Sequence, residues 1–454
     1  MVLGLSRVMR FEYPNINLQM LDLDFVTSQT SQTLAETLIR LELLGKWHKD
    51  TNAAGNEFLW SLEPELVYEN NRLLIPRMYP HKAGNNRYNT YRRTVHQVVD
   101  PREQIVALEP KGQSYELSSV SPLRLPTFGA FPEGRKTVQV SHSLLQMVKV
   151  HNAGYFMLCA GTDTATGQHL IALSDGAETP APTLAQWAIP VSSAPPAKVL
   201  VSVAAHILAK SVIAVAPKAG SVLVHEVDAV LGDAITREAE QSSVKVSFSS
   251  SVKGNNMKNC VFVHRNLPTR LIKRLLPRDI SLFISLAQAP GADEVGEIIA
   301  KCLPPHTQTA GPSDFVSTET LVFPGASTEQ IRQAITMAWQ TSQKTGGSSS
   351  YEASTVWLQD VASHSVIGEP LRVVHWNVSS VEISLQPIDT GNIFRPDGTY
   401  FLVGLSGQLG QSLCHWMVTH GARNVVLTSR NPKVRPGFIK MIEELGATVR
   451  FMSS

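Results

Sequence analysis

The sequence predicts an α/β fold in which parallel, doubly wound units flank a β-rich stretch. The first indication is a series of strand-length apolar segments that alternate with helical stretches, a pattern typical of a parallel sheet. These segments lie at 222–224, 244–248, 260–263 and 280–284. The second indication is a strand, a glycine loop, a helix and another strand in succession over 399–427. Between these units, short alternating runs separated by Gly, Pro, Thr and Asp clusters predict β structure over 96–195.

Composition limits the classes of partner and compartment. The 454 residues suffice for roughly three domains. With 40 basic and 38 acidic residues the formal net charge is +2, which gives no electrostatic basis for binding nucleic acid or an anionic membrane. The four cysteines lie far apart without a C-x-x-C pair, so neither a metal site nor a disulfide framework is expected. Because we find neither a signal-peptide pattern nor an apolar stretch of about 18 residues, we expect a cytoplasmic protein.

The first 95 residues predict the end of an α/β unit. Apolar residues from Val2 to Met9 recur at helical spacing, and Pro14 ends that pattern. A second helix is expected to begin at a Thr33–Glu36 capping box. Strands are expected at 18–23, 58–62 and 73–75. A chain whose first residues already form a helix is typical of a piece of a longer protein.

The remaining boundaries follow changes in the pattern. Residues 96–198 form the β-rich stretch, which ends in a proline-rich segment. Residues 199–344 form the doubly wound unit, and its first helix is apolar enough to be buried. A Gly/Ser tract opens a linker with connecting strands over 345–397, and the final unit covers 398–454.

The final unit contains a G-x-x-G-x-x-G loop. Strand Thr399–Val403 runs into Gly404, and Gly407 and Gly410 follow at three-residue spacing before a helix over 411–420. Glycines allow a tight turn and a close approach of the backbone to a pyrophosphate. A helix N-terminus offers free N–H groups and a positive dipole to the same anion. The loop therefore predicts a dinucleotide site, and the alternative is a unit of similar fold whose glycines serve only packing.

The end of the next strand indicates which dinucleotide is bound. Arg430 lies there, twenty residues past Gly410. At this position a carboxylate favours the ribose 2′-hydroxyl, whereas an arginine favours a 2′-phosphate, so the predicted cofactor is NADPH. No catalytic or metal-binding residue is predicted. The residues predicted to bind the cofactor are Gly404, Ser406, Gly407, Leu409, Gly410, Ser429 and Arg430.

Both ends of the chain carry a family resemblance. Gly404-Leu-Ser-Gly-Gln-Leu-Gly410, Gly421-Ala-Arg423 and Leu427-Thr-Ser-Arg-Asn-Pro432 resemble the start of the ketoreductase domain in fungal highly reducing polyketide synthases. The opening Gly4-Leu-Ser-Arg-Val-Met-Arg-Phe-Glu-Tyr-Pro14 and the run Leu73-Leu-Ile-Pro-Arg77 resemble the region before the enoylreductase of those synthases. The resemblance implies that residues 1–95 end a structural, non-catalytic ketoreductase half. Residues 398–454 would then open the catalytic, NADPH-binding half.

The same resemblance implies the surrounding machinery. The chain would be an internal segment of an iterative synthase whose intermediates are carried on the phosphopantetheine of an acyl-carrier domain elsewhere in the protein. Its partners would be the remaining synthase domains, that acyl-carrier domain and a second copy in a homodimer. The resemblance is to the branch that makes lovastatin-type nonaketides. In that branch the enoylreductase region is inactive and a separate enoylreductase supplies the missing step.

The middle of the chain resembles a degenerate medium-chain dehydrogenase, with a β-rich half and a Rossmann-like half. An active enoylreductase of this family carries an Ala-Gly-Gly-Val-Gly-like loop after the first Rossmann strand. Here strand Ser221–His225 is followed by Glu226-Val-Asp-Ala-Val-Leu-Gly232, which keeps one glycine. Asp228 and Ala229 would crowd the pyrophosphate. A carboxylate there would repel it by about 4 kcal/mol, roughly a thousandfold in affinity, so we expect no NADPH binding in this half.

Two other interpretations stay open. If the loop alignment is shifted, the middle is an active NADPH-dependent enoylreductase that acts on acyl-carrier-bound enoyl thioesters. Alternatively, the chain is a short independent protein that binds NADP. The basic run Lys273, Arg274 and Arg278 is interpreted as a solvated face.

Overall fold

The structure is a computed structural model that describes most of the chain. The described residues are 2–26, 28–49, 63–121, 123, 134–217, 220–253, 259–287, 294–323, 325–344, 352–364, 371–432 and 434–453. The chain divides into two compact units, 1–85 and 86–454. The strand expected at 58–62 and the Gly/Ser tract at 345–350 lie outside the described residues.

The first unit combines helices with a three-stranded sheet. Its elements, the last of which continues into the second unit, are α1 (Val2–Glu12), β1 (Met20–Leu23), α2 (Ser28–Lys49), β2 (Glu65–Glu69), β3 (Arg72–Leu74) and α3 (Lys82–Asn89). β2 pairs parallel with β1 and antiparallel with β3. The Arg7 guanidinium donates hydrogen bonds of 2.6 and 2.7 Å to the Glu65 carboxylate and links α1 to β2. The predicted capping box at Thr33 is wrong, because α2 begins upstream and Thr33 lies inside it.

The second unit begins with a β-rich region, as predicted. Its first strands are β4 (His96–Val99), β5 (Val106–Lys111), β6 (Ser114–Ser119), β7 (Arg135–Leu144), β8 (Met147–Val150), β9 (Gly154–Asp163), β10 (His169–Ser174), β11 (Glu178–Thr179), β12 (Ala181–Leu184) and β13 (Ala188–Pro190). β7, β9 and β10 pair antiparallel at the centre of the larger sheet, and β5 pairs antiparallel with β6 in the smaller one. Leu144, Phe156 and Leu158 from the larger sheet are fully buried in the main core.

A parallel, doubly wound sheet follows and confirms the predicted alternation. Its elements are α4 (Ala197–Ala214), β14 (Ser221–His225), α5 (Ala229–Gln241), β15 (Lys245–Ser250), β16 (Cys260–Phe262), α6 (Thr269–Leu275), β17 (Ile280–Ser285), α7 (Glu294–Cys302) and β18 (Gln308–Ala310). The strand order is β16-β15-β14-β17-β18, and every neighbouring pair is parallel. The carboxyl ends of β14, β15 and β17 therefore meet at one edge, where ligands bind in sheets of this kind.

Helix α4 corrects one expectation from the sequence. It has 18 residues with a mean hydropathy of 1.7, so an apolar stretch of membrane-spanning length does occur. These 18 residues are 67% buried inside the protein, because the helix packs between α5 and α8 (Thr328–Lys344) and against the larger β-rich sheet. The predicted burial of this helix is thus confirmed.

The chain then returns to the β-rich region. The returning strands are β19 (Val316–Ser317), β20 (Leu321–Val322), β21 (Thr355–Trp357), β22 (Val373–His375) and β23 (Val381–Ser384). β19 and β20 pair with β8 and β9, β22 pairs with β7, and β23 lies between β6 and β4. The prediction differs here, since it placed these strands in the Rossmann-like half (199–344) and in a linker with connecting strands (345–397). No local pattern specifies a pairing partner that lies so far away along the chain.

The last region is a second, smaller parallel unit. Its elements are β24 (Thr399–Val403), α9 (Gln408–Thr419), β25 (Asn424–Ser429), α10 (Phe438–Glu444) and β26 (Thr448–Ser453). The strands pair parallel in the order β24-β25-β26. Cys414, Leu427 and Ile442 are fully buried in its core. The predicted succession of strand, loop, helix and strand is confirmed.

Candidate functional site

The loop between β24 and α9 gives its three glycines three different roles. Gly404 has a φ of 75°, in the left-handed region that glycine adopts without strain. A Cβ on Gly410 would lie 1.7 Å from the carbonyl oxygen of Leu405, so only glycine allows the helix to pack this closely on the loop. A Cβ on Gly407 would meet no atom within 4 Å, so this backbone faces open space. A tight turn, a close helix contact and an open backbone are the three features that a dinucleotide-binding loop requires of its glycines.

Side-chain hydrogen bonds attach this loop to its surroundings. The hydroxyl groups of Ser406 and Ser429 lie 2.6 Å apart, which joins the loop to the end of β25. The Gln411 side-chain amide donates to the carbonyl oxygen of Ser406 at 2.8 Å, and its oxygen accepts from the backbone N–H of Arg435 at 3.2 Å. Gln411 was not among the predicted residues. The available signal was its helical spacing from Cys414 and Val418, which places a polar side chain on the apolar face of the helix.

The N-terminus of α9 is open to an anion. Gly407 is its N-cap and contributes no side chain, and the first turn contains no acidic residue. The free N–H groups and the helix dipole there favour negative charge. Leu409 is 76% exposed on this turn. Arg430 is exposed directly after β25, so the predicted residues line one edge of the small sheet.

The corresponding edge of the larger parallel sheet contains carboxylates instead. Glu226, directly after β14, has a φ of 54°, a backbone conformation that glycine adopts more readily. One carboxylate oxygen accepts from the backbone N–H and the hydroxyl of Ser251, each at 2.5 Å, and the other accepts from the Ser250 hydroxyl at 3.2 Å. The donors at the end of β15 are therefore bound to a carboxylate of the chain itself.

The N-terminus of α5 is also occupied. Asp228 is its N-cap, and its carboxylate accepts a hydrogen bond of 2.9 Å from the backbone N–H of Leu231. The sequence placed Asp228 and Ala229 where they would crowd a pyrophosphate. In the structure Asp228 turns back onto its own helix, so its charge lies at the N–H groups that would receive the phosphate.

A histidine beside this edge does not form a reactive centre. The Nδ1 atom of His225 lies 3.0 Å from the Ser249 hydroxyl, and its Nε2 lies 3.7 Å from a Glu226 carboxylate oxygen. His225 and Ser249 are each only 1% exposed, so a substrate cannot reach this serine. The pair satisfies buried polar atoms within the core.

The other residues considered in the sequence form no joint site. Lys273, Arg274 and Arg278 are exposed in and beside α6, in agreement with a solvated face. The four cysteines are free. Within the described parts of the chain, no three His, Cys, Asp or Glu side chains are grouped so that they could hold a metal ion.

Comparison with known proteins gives matches over the whole chain. Residues 398–454 match the KR domain family. The hybrid PKS-NRPS synthetase tasS of Hapsidospora irregularis is 42% identical over 462 residues, which cover 100% of this chain. The hybrid PKS-NRPS synthetase mpsA of Macrophomina phaseolina is 38% identical over 460 residues, again 100% of this chain. Equisetin synthetase eqxS of Fusarium heterosporum is 33% identical over 453 residues, or 99% of this chain.

The chain spans 11% of the length of each of these synthetases. Among solved structures, the CurK enoyl reductase has 10% identity and a TM-score of 0.36, with 62% of this chain and 99% of that chain covered. Benzyl alcohol dehydrogenase from Acinetobacter calcoaceticus has 13% identity and a TM-score of 0.37, with 60% and 99% covered. The chain is thus similar over its whole length to a segment of fungal PKS-NRPS synthetases, and its last residues match the KR domain family.

Proposed function

We propose that the chain is a reductive segment of an iterative highly reducing polyketide synthase in which only the region from 398 onward binds a dinucleotide. That region would begin an NADPH-dependent β-ketoacyl reductase. The single observation that carries this proposal is the contrast between two helix N-termini. The first turn of α9 is free of acidic side chains, whereas the N-terminus of α5 is capped by the carboxylate of Asp228.

The geometry of the small sheet supports NADPH at its edge. Gly407 leaves room for a pyrophosphate, and the α9 N–H groups would donate to it. Arg430 would pair with the 2′-phosphate, and Ser429 and Ser406 would hold the loop against the end of β25. Leu409 would contact the cofactor with its exposed side chain. NADPH, when bound, supplies the hydride that reduces a carbonyl group.

The geometry of the larger sheet supports the opposite assignment for the enoylreductase-like region. Glu226 accepts hydrogen bonds from Ser250 and Ser251, and Asp228 accepts one from the Leu231 N–H, so each carboxylate engages donors and adds a negative charge where a dinucleotide phosphate would bind. We therefore propose that this region is catalytically inactive and serves as a scaffold. A separate enoylreductase would supply the missing step by docking there.

Further proposals concern the longer protein. We infer a cytoplasmic synthase that acts as a homodimer and presents its intermediates on the phosphopantetheine of an acyl-carrier domain. Two of the relatives named above, tasS and mpsA, are hybrid PKS-NRPS synthetases, so we propose that the longer protein is such a hybrid. The narrower assignment to lovastatin-type nonaketide synthesis remains a prediction from sequence resemblance.

The experiment is calorimetric titration of the 454-residue chain with NADPH and, separately, with NADH. We expect one NADPH site per chain and much weaker binding of NADH. Two sites would support the active-enoylreductase alternative, and no site would overturn the proposal. Turnover of an enoyl thioester with NADPH, measured with and without a stand-alone enoylreductase, tests the scaffold assignment. Turnover by the chain alone would contradict it.

A further inference from the structure

Asp389 lies where three parts of the second unit meet. Its carboxylate accepts one hydrogen bond from the hydroxyl of Tyr91, which precedes β4, and one of 3.2 Å from the indole Nε1 of Trp416 on α9. The Nε2 atom of His420 lies 3.7 Å from the same carboxylate. Burial opposes ionisation of Asp389, but these hydrogen bonds outweigh it and hold its pKa below the usual value. The hydrogen bond to Asp389 raises the pKa of Tyr91 to about 12. Asp389 is therefore a charged acceptor with two defined donors.

The chain before β4 and the chain after β23 run beside each other at this point. The Arg87 guanidinium donates to the carbonyl oxygen of Gln386 at 3.2 Å, and the Gln386 N–H donates to the Ser119 hydroxyl at 2.9 Å. The N–H of Leu385 donates to the carbonyl oxygen of Val95 at 2.8 Å. The segment before β4 and the segment after β23 bracket the enoylreductase-like region. They are thus hydrogen-bonded to each other before the second segment continues to α9.

The outgoing connection also holds the C-terminal end of α9. The backbone N–H groups of Ile393 and Phe394 donate to the carbonyl oxygen of His420 at 2.9 and 3.0 Å. The ring of Phe394 packs edge-on against Trp416, with centroids 5.4 Å apart. A Cβ on Gly421 would lie 2.7 Å from the Phe394 carbonyl oxygen, so the backbones touch here. The C-terminal end of α9 is thus held both by the Asp389 carboxylate and by the backbone of Ile393 and Phe394.

We propose that Asp389 is a positioning residue for the nucleotide site at the opposite end of α9. This inference rests on the proposed function of the small sheet. A helix of 12 residues is rigid over about 18 Å, so a rotation at Trp416 moves Gly407 as well. The close contact of Gly410 with Leu405 makes the loop follow the helix. The bracketing connections thereby set the distance between the α9 N-terminus and Arg430.

The test is the NADPH dissociation constant of Asp389→Asn in the 454-residue chain. We expect it to rise about fivefold, because the neutral amide weakens charge-assisted hydrogen bonds that orient the helix. Tyr91→Phe, which removes one donor and leaves α9 intact, should raise it about threefold. Asp397→Asn is the matched control. Asp397 pairs with Arg395 at 2.7 Å in the same connection, and its substitution should leave the dissociation constant unchanged.

A readout beyond stability separates positioning from a purely structural role. Because coupling between two sites is reciprocal, saturating NADPH should slow hydrogen exchange at the Ile393 and Phe394 amides in the unmodified chain. That protection should be smaller in Tyr91→Phe. Lower melting temperatures with unchanged dissociation constants in both variants would overturn the inference and leave the proposed function standing. If the unmodified chain binds no NADPH, the proposed function and this inference fall together.

Discussion

Two helices of this chain follow the first strand of a parallel sheet, and their N-termini differ in charge. Helix α5 begins at Asp228, whose carboxylate caps it, and the preceding Glu226 occupies the donors at the end of β15. Helix α9 begins at Gly407, which has no side chain, and Arg430 stands at the neighbouring strand end. Both regions keep the strand–loop–helix geometry, but of these two helix N-termini the second has no carboxylate cap.

Under the proposed function, the larger sheet keeps its fold although it no longer binds a dinucleotide. A carboxylate at a helix N-terminus satisfies the same N–H groups as a pyrophosphate, so the helix needs no ligand to be stable. Glu226 has a left-handed backbone conformation that glycine adopts with less strain. Its carboxylate accepts three hydrogen bonds, one from Ser250 and two from Ser251. The proposed loss of the dinucleotide is therefore compatible with an intact sheet.

The strongest test transfers the cap of α5 onto α9. Gly407→Asp should lower NADPH affinity by up to about a thousandfold, since a carboxylate near the pyrophosphate costs about 4 kcal/mol. The helix itself should stay folded, because aspartate is a favourable N-cap. Gly407→Asn is the matched control, as it caps equally well without charge. Calorimetric titration of both variants measures the effect, and equal affinities would show that charge is not the deciding difference.

The next test concerns the choice of cofactor. Arg430→Gln should weaken NADPH binding by roughly 10-fold to 100-fold, because a charge-assisted interaction with the 2′-phosphate is worth about 1.5–3 kcal/mol. NADH affinity should not change. Arg423→Gln provides a control, since Arg423 is exposed at the opposite end of β25 and donates to the Leu445 carbonyl oxygen at 3.0 Å. Parallel losses for NADPH and NADH would contradict the assigned role.

Packing beneath the loop gives a smaller effect, on stability. In Gly410→Ala the new methyl group would lie 1.7 Å from the Leu405 carbonyl oxygen, and the helix must shift away. We expect a loss of about 1–3 kcal/mol in the free energy of unfolding, measured by denaturant titration. Leu409→Ala, at an exposed neighbouring position, should change it by less than about 0.5 kcal/mol. A stable Gly410→Ala variant would mean that this glycine is not needed for packing.

The sequence predicted features that are local in the chain and missed those that depend on pairing. The glycine loop, Arg430 and the crowding at Asp228 are set by neighbours within one strand, loop and helix. The hydrogen bonds from Ser250 and Ser251 to Glu226 depend on the register of β14 against β15, which places residues about 24 positions apart in contact. The return of β22 and β23 to the β-rich sheets, and the Tyr91–Asp389 contact, join residues still farther apart, so no spacing pattern indicates them.

The smallest expected effect concerns the contribution of the Asp228 cap to the free energy of unfolding in the absence of a ligand. Asp228→Ala removes the acceptor for the Leu231 N–H and should lower the free energy of unfolding by about 1 kcal/mol, whereas Asp228→Asn should keep most of it. Neither variant should gain an NADPH site, because Glu226 still binds the donors at the end of β15. Denaturant titration and calorimetry of the two variants check both statements. A new site in Asp228→Ala would mean that one carboxylate alone separates the two regions.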